Sequence, residues 1–329
     1  MLRVKQLALV LVVLLMVLKG NGEAQTKYTL IFGGSDAVGS LLDRANRLFC
    51  ETLEEESDGA IKVNFYPADQ LGGDIEQIQS TMAGTQHVYG DVLVWLANWM
   101  TDFNILGWGF TFRDKDHFKK FLESDTCKEM IAKFEKQYGV KILGAVPTQP
   151  RILFSKKPVN SLKDMENVKM RVPEIESYLR LWEAIGARPT RVTWSEVYMA
   201  LKQGVIDACE GPPSPAYAAK LHEPTGNVTV TAHLISSYFL MMNGAMYESL
   251  GPDLQQKVQI AANAALQYMV QESDKATEED LNKMEAEGAT VVRSIDVKPW
   301  QEKVRSATAA MEEKGLWRKG LYDEIQEIQ

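Results

Sequence analysis

Apolar and polar positions change period several times along this chain, and the changes mark its elements. Positions 28–32 alternate and are β-rich, predicting a strand, and Gly33-Gly34-Ser35-Asp36 follow as its turn. Positions 40–55 place Leu41, Ala45, Leu48 and Thr52 on or near one helical face, and Asp58-Gly59 ends that helix. A second strand is predicted over 61–66. Strand, loop, helix, strand in that order predicts a parallel sheet whose first loop faces a ligand. Asp74 is read as the cap of a helix over 75–83, stopped by Gly84. Positions 88–94 read as a strand or strand-plus-turn, with Asp91 near its ligand end.

An aromatic-rich stretch follows, Trp95 to Phe112, most of it suited to core or interface packing. A charged amphipathic helix is predicted over 116–136 and a strand over 139–146, interrupted by Pro147 and Pro150. Arg151 opens another strand, 151–154, and twenty residues on Arg171 closes the next, because Pro173 cannot donate to a ladder. A parallel pairing of those strands would bring the two arginines together. A helix over 175–186 carries Tyr178, Leu181 and Trp182. Thr193 and Glu196 have capping-box spacing, Val197, Tyr198 and Leu201 share a helical face, and Gly204 is placed in the left-handed conformation. A buried strand is predicted over 205–209, ending at Glu210-Gly211-Pro212-Pro213. Thereafter come a helix over 213–225, a short strand over 228–231 and an apolar β-rich run over 235–243. From Pro252 to Glu287 there is no further Pro or Gly, enough for one helix of roughly 54 Å. A last strand is predicted at 290–293 and a helix from 299 onward. The order helix, glycine, short strand occurs around Gly84 and again around Gly204, which predicts two similar α/β lobes facing each other.

The N-terminus adds a location. Arg3 and Lys5 precede an unbroken apolar run from Leu7 to Leu18, too short to span a bilayer comfortably. Gly22-Glu23-Ala24 offers small residues for cleavage, so 1–24 reads as a signal peptide and the mature chain as exported and periplasmic; a retained anchor is the alternative. The full chain of 329 residues carries a net charge of −8. Segment 1–24 is net positive, which leaves the remainder more acidic still. Such a surface argues against nucleic acid and against anionic membrane. What remains is long enough for two packed domains. Cys50, Cys127 and Cys209 cannot all pair and match no metal spacing, and the four histidines are scattered. No nucleophile elbow, paired histidines or phosphate loop is present, so no cofactor, no metal and no enzymatic activity are expected.

The stretch from Val168 to Pro213 resembles the solute-binding proteins of tripartite ATP-independent periplasmic (TRAP) transporters, the DctP-like family. The resemblance rests on Arg171-Val172-Pro173, then Trp194, Glu196 to Leu201, Gly204, Asp207 and Glu210, and extends over most of the chain. It implies an α/β, two-lobed periplasmic binding protein (type II-like), with a hinge of crossing strands and a long helix spanning both lobes. Lobe I would hold 25–148 plus 237–276, and lobe II 149–236 plus 277–329. It also implies a receptor that binds a small-molecule carboxylate and delivers it to TRAP membrane permease subunits. A monomer is expected. A receptor for an ABC importer or sensor kinase is the rival, and an exported enzyme on the same scaffold is the third reading.

The resemblance assigns the ligand's carboxylate to Arg171, whose planar fork matches it. The alternative for Arg171 is a salt bridge to Glu174 or Glu210. Arg151 matches a second, supporting arginine. Trp194 stands where the family places an aromatic against the ligand, and the segment near Phe110 borders it in the family. Gly211 replaces an asparagine common in the family, so a contact to the ligand is lost or made elsewhere. With Trp194, it hints at a flat or apolar acid. Glu210 either accepts from the ligand or pairs with an arginine. Ser35, Asp36, Asp91 and Trp95 complete the candidates from the first lobe, whereas Glu196, Tyr198 and Asp207 are read as structural.

Overall fold

The structure, a computed structural model, describes residues 26–329; the predicted signal peptide lies outside the described residues. The first unit is β1 (Tyr28–Gly33), α1 (Leu41–Glu56), β2 (Ile61–Tyr66), α2 (Asp74–Ala83) and β3 (Val88–Asp91). α1 begins because Ser40 accepts from the Asp43 N–H. α2 ends because Gly84 takes φ 83°, a conformation costly for any residue with a Cβ. Pairing of β1 with both β2 and β3 is parallel, as the strand–helix–strand order predicts.

Two 3-10 turns, Leu93–Asn98 and Thr101–Gly107, carry the aromatic stretch. The helix expected over 116–136 is two, α3 (Lys115–Glu123) and α4 (Asp125–Tyr138). Ser124, extended at ψ 158°, ends one and caps the other by accepting from the Cys127 N–H. β4 (Val140–Ser155) is one strand and not two. Pro147 and Pro150 fall where its register against β8 shifts, so the missing N–H groups are absorbed by an irregular stretch of ladder instead of ending it.

The second unit is β5 (Lys169–Val172), α5 (Glu176–Ile185), β6 (Arg188–Arg191), α6 (Val197–Gln203) and β7 (Ala208–Gly211). The Thr193 side chain caps nothing; a 3-10 turn, Trp194–Glu196, leads into α6, and Gly204 closes it at φ 78°. β7 starts later than the apolar pattern suggested, and Val205 is exposed. α7 (Pro213–Ala218) and α8 (His222–Thr225) replace one expected helix. β8 (Asn227–Asn243) joins the two strands expected at 228–231 and 235–243. α9 (Gly244–Ser249) precedes the 36-residue α10 (Gly251–Ala286). β9 (Thr290–Val292), α11 (Lys298–Glu313) and α12 (Leu321–Glu327) complete the chain.

Among the described residues the strands form one sheet in the order β2-β1-β3-β8-β4-β7-β5-β6, with β9 beside β8. The long antiparallel pair β4 and β8 runs through its middle and joins two α/β lobes. α10 crosses both: Val258, Ala261, Ala265 and Met269 pack with β1 and α1, while Leu281 and Met284 pack with α6 and β7. At the crossing, buried Gln149 of β4 donates to Thr277 Oγ1 of α10 (3.0 Å) and accepts from the Ser214 N–H of α7 (3.2 Å). All three cysteines are buried and unpaired.

Candidate ligand site

The carboxyl ends of β1, β3, β5 and β7 point toward the junction of the lobes, the place where open α/β sheets hold ligands. A cavity there is lined by Ser35 and Asp36 after β1, Asp74 at the start of α2, Asp91 at the end of β3 and Trp95 just beyond it. The other wall brings Arg151 of β4, Arg171 of β5, Tyr178 of α5 and Trp194. Seven of the sequence candidates therefore meet around one space. Glu210 and Gly211 do not line it, and Phe110 also lies outside, reaching the site only through its N–H donated to the His233 carbonyl (2.8 Å).

The two arginines differ in what already holds them. Arg151 lies within β4, not at a strand end, and β7 separates it from β5, so no parallel pairing joins the two. Its Nε and Nη2 donate to the two oxygens of Glu210 at 2.5 and 2.8 Å, a bidentate buried pair. Burial pushes the Glu210 carboxyl upward, but the charge and bonds of Arg151 prevail and hold it at about 2. His233 Nε2 stands 3.4 Å from Glu210, and its Nδ1 lies 2.7 Å from Thr231 Oγ1. Burial keeps that imidazole neutral against the pull of Glu210. Tyr178 lies under the Arg151 guanidinium, 5.2 Å from ring centre to Cζ.

Arg171 is 2% exposed and donates only from Nε, to the Val192 carbonyl (2.8 Å). Neither terminal nitrogen has a hydrogen-bond partner, and no carboxylate forms a salt bridge to it among the described residues; Glu174 and Glu210 leave it free. Burial pulls its pKa down, and the negative charge of Glu210 nearby offsets this only in part. Trp194 covers it, with Cζ 5.3 Å from the ring centre. A Cβ at Gly211 would come 3.0 Å from Trp194 Cη2, so the indole fills the space an asparagine side chain would need. The departure from the family pattern at Gly211 and the large aromatic at Trp194 are thus one packing solution.

The opposite wall is acidic. Asp74 accepts from Ser35 Oγ (2.5 Å) and Tyr89 Oη (2.6 Å) on the same oxygen. It is the first residue of α2 and not its cap, which is Gly73. Asp91 accepts the adjacent Val92 N–H (2.7 Å), and Asp36 receives a long bond from Ser40 Oγ (3.4 Å). Burial and the Asp74 charge raise Asp36 to about 7. Burial raises Asp74 to about 6 despite its two hydroxyl donors, and burial with Asp74 and Asp36 nearby raises Asp91 well above the carboxylate range. Asp74 was legible only as a helix-start residue; its place on the cavity comes from the packing of α2 against β3. His233 sits in an ordinary β alternation and gave no signal. Among the described residues no cluster of His, Cys, Asp and Glu could hold a metal ion.

A family model for bacterial extracellular solute-binding proteins, family 7, matches residues 32–314. The chain belongs to that family. Within the family, a solute-binding protein of Roseobacter denitrificans is 28% identical over 264 residues, 80% of each chain. The sialic acid-binding periplasmic protein of Vibrio cholerae is 26% identical over 274 residues, 83% of this chain and 85% of its own. Among solved structures, a TRAP periplasmic solute-binding protein from R. denitrificans with bound L-galactonate matches with a TM-score of 0.85 at 26% identity, covering 93% of this chain and 99% of that one. The chain is accordingly a family 7 receptor of the TRAP type, and its two-lobed fold is that of these receptors.

Proposed function

We propose that this family 7 receptor captures a small organic acid outside the cytoplasm and presents it to the membrane subunits of a TRAP transporter, by binding and release without covalent chemistry. Arg171 takes the ligand's carboxylate, and Arg151, locked by Glu210, fixes the wall beside it. The observation that carries the reading is the open fork of Arg171. A buried guanidinium without a counter-ion is costly, and a carboxylate entering the cleft removes that cost through two charge-assisted bonds. The water-poor cleft strengthens the pair further. The relative from R. denitrificans, with L-galactonate bound, supports the same ligand class. Export rests on the apolar N-terminal run, and the described residues contain no helix long and apolar enough to cross a membrane.

The test is calorimetry and thermal shift with a library of small carboxylates against wild type, Arg171→Ala and Arg171→Lys. Losing one partner of a buried charge pair costs about 2–5 kcal/mol, so Arg171→Ala should weaken any true ligand at least about thirtyfold. Lysine keeps the charge but loses the fork and should recover only part. Undiminished binding by Arg171→Ala, with the fold intact by circular dichroism, would refute the assignment.

A further inference from the structure

Resting on the carboxylate-receptor reading, we infer that the ligand is a zwitterion, with an ammonium group held by Asp91 and Asp36 at the end of the cavity opposite Arg171. Three carboxylates line one side of the cavity, and none of them forms an ion pair among the described residues. The cations nearest in function are already assigned: Arg151 is spent on Glu210, and Arg171 awaits the ligand's own carboxylate. A simple monoanion would satisfy Arg171 and leave the Asp91 and Asp36 carboxyl groups without a partner on the ligand.

The three acids are not equally free. Asp74 has one oxygen committed to two hydroxyl donors. Asp91 is only 6% exposed and lines the cavity, yet its single bond is to the N–H of the next residue, and its second oxygen has no partner among the described residues. Asp36 has only the long contact from Ser40. A buried acceptor with an idle oxygen on one wall and a buried donor with two idle nitrogens on the other define a ligand with both charges. Hydroxyl groups could donate to the same oxygens, but each brings one hydrogen and no charge. An ammonium brings three donors and a compensating charge.

The experiment uses matched acids that differ in one group: alanine against lactate, 4-aminobutanoate against 4-hydroxybutanoate, and phenylalanine against phenyllactate, with galactonate alongside. Binding is read by calorimetry on the full mature chain. At least one amino member should bind tenfold or more tightly than its hydroxy twin. Asp91→Asn, with the fold intact by circular dichroism, should shrink that preference to about threefold or less. Asp36→Asn, at a half-buried loop position, gives the same readout if Asp91→Asn fails to fold. Equal or tighter binding of the hydroxy members or of galactonate to wild type overturns the zwitterion and leaves the carboxylate receptor standing. Failure of every acid here and in the carboxylate library overturns both.

Discussion

Arg171 and Arg151 are the same side chain in opposite states: one has its counter-ion inside the protein, the other has none. That difference sets how each titrates. Glu210 is held at about 2, below its ordinary 4.5, so the stability it lends is complete above about 4.5 and lost as pH falls through 2. Asp36 and Asp74 are raised, to about 7 and about 6. Their contribution is complete below their unfolded value and lost as pH rises through those values. The ligand-free protein should therefore be most stable near pH 4, softening on both sides, and thermal melts from pH 2 to 8 check this. A melting temperature that climbs steadily from pH 4 to 7 would contradict it. A second residue-scale expectation concerns Trp194 and Gly211. Gly211→Asn should destabilise the protein by about 1–3 kcal/mol through overpacking, and Trp194→Ala in the same chain should relieve most of that, as read from a double-mutant cycle of urea melts. Of these residues, Arg171 was legible because Pro173 marks a strand end, and Arg151 by its interval from Arg171. The split in their states was not legible, since it depends on the 2.5 Å approach of Glu210 from a neighbouring strand.

Elements were legible where chemistry is local. Gly84 and Gly204 announce helix ends through a positive φ, and the structure has them so. They were misread where a partner strand decides. Pro147 and Pro150 look like breaks, but β8 runs alongside and carries β4 through them. β6, with the sequence Arg-Pro-Thr-Arg, has almost no apolar pattern because it is a mostly exposed edge held by backbone pairing to β5. The junction of β8 with α9 makes a further expectation. A Cβ on Gly244 would lie 2.6 Å from the Gly139 carbonyl oxygen, and that oxygen already accepts the Gly244 N–H at 2.8 Å. Backbone cannot swing aside as a side chain can. Gly244→Ala should cost about 1–3 kcal/mol in chemical denaturation, and a neutral result would mean the α4–β4 turn is pliable.

At the scale of the whole molecule, the lobes are tied by β4, β8 and α10, and on the division at 148 also by segment 93–112 packed on α5 and α11; only at the cleft are the contacts light. The Leu41 N–H donates to Ser214 Oγ at 2.9 Å, and a Cβ on Gly73 would lie 3.4 Å from Thr193 Cγ2, ordinary contact distance. Few bonds span the opening, so its width should respond to the ligand. Small-angle scattering should report a smaller radius of gyration on saturation with a carboxylate, and no change for Arg171→Ala at the same concentration. An unchanged radius in the wild type at saturation would mean the cleft does not open without ligand.

The three cysteines carry a consequence of their own. Burial drives the thiols of Cys127 and Cys209 to about 12 and that of Cys50 higher still, so none is a nucleophile in the folded chain. An oxidant finds nothing to attack until the fold itself comes apart. Redox safety here is a by-product of packing, and it lapses whenever the chain is unfolded, when all three sulfurs are bare.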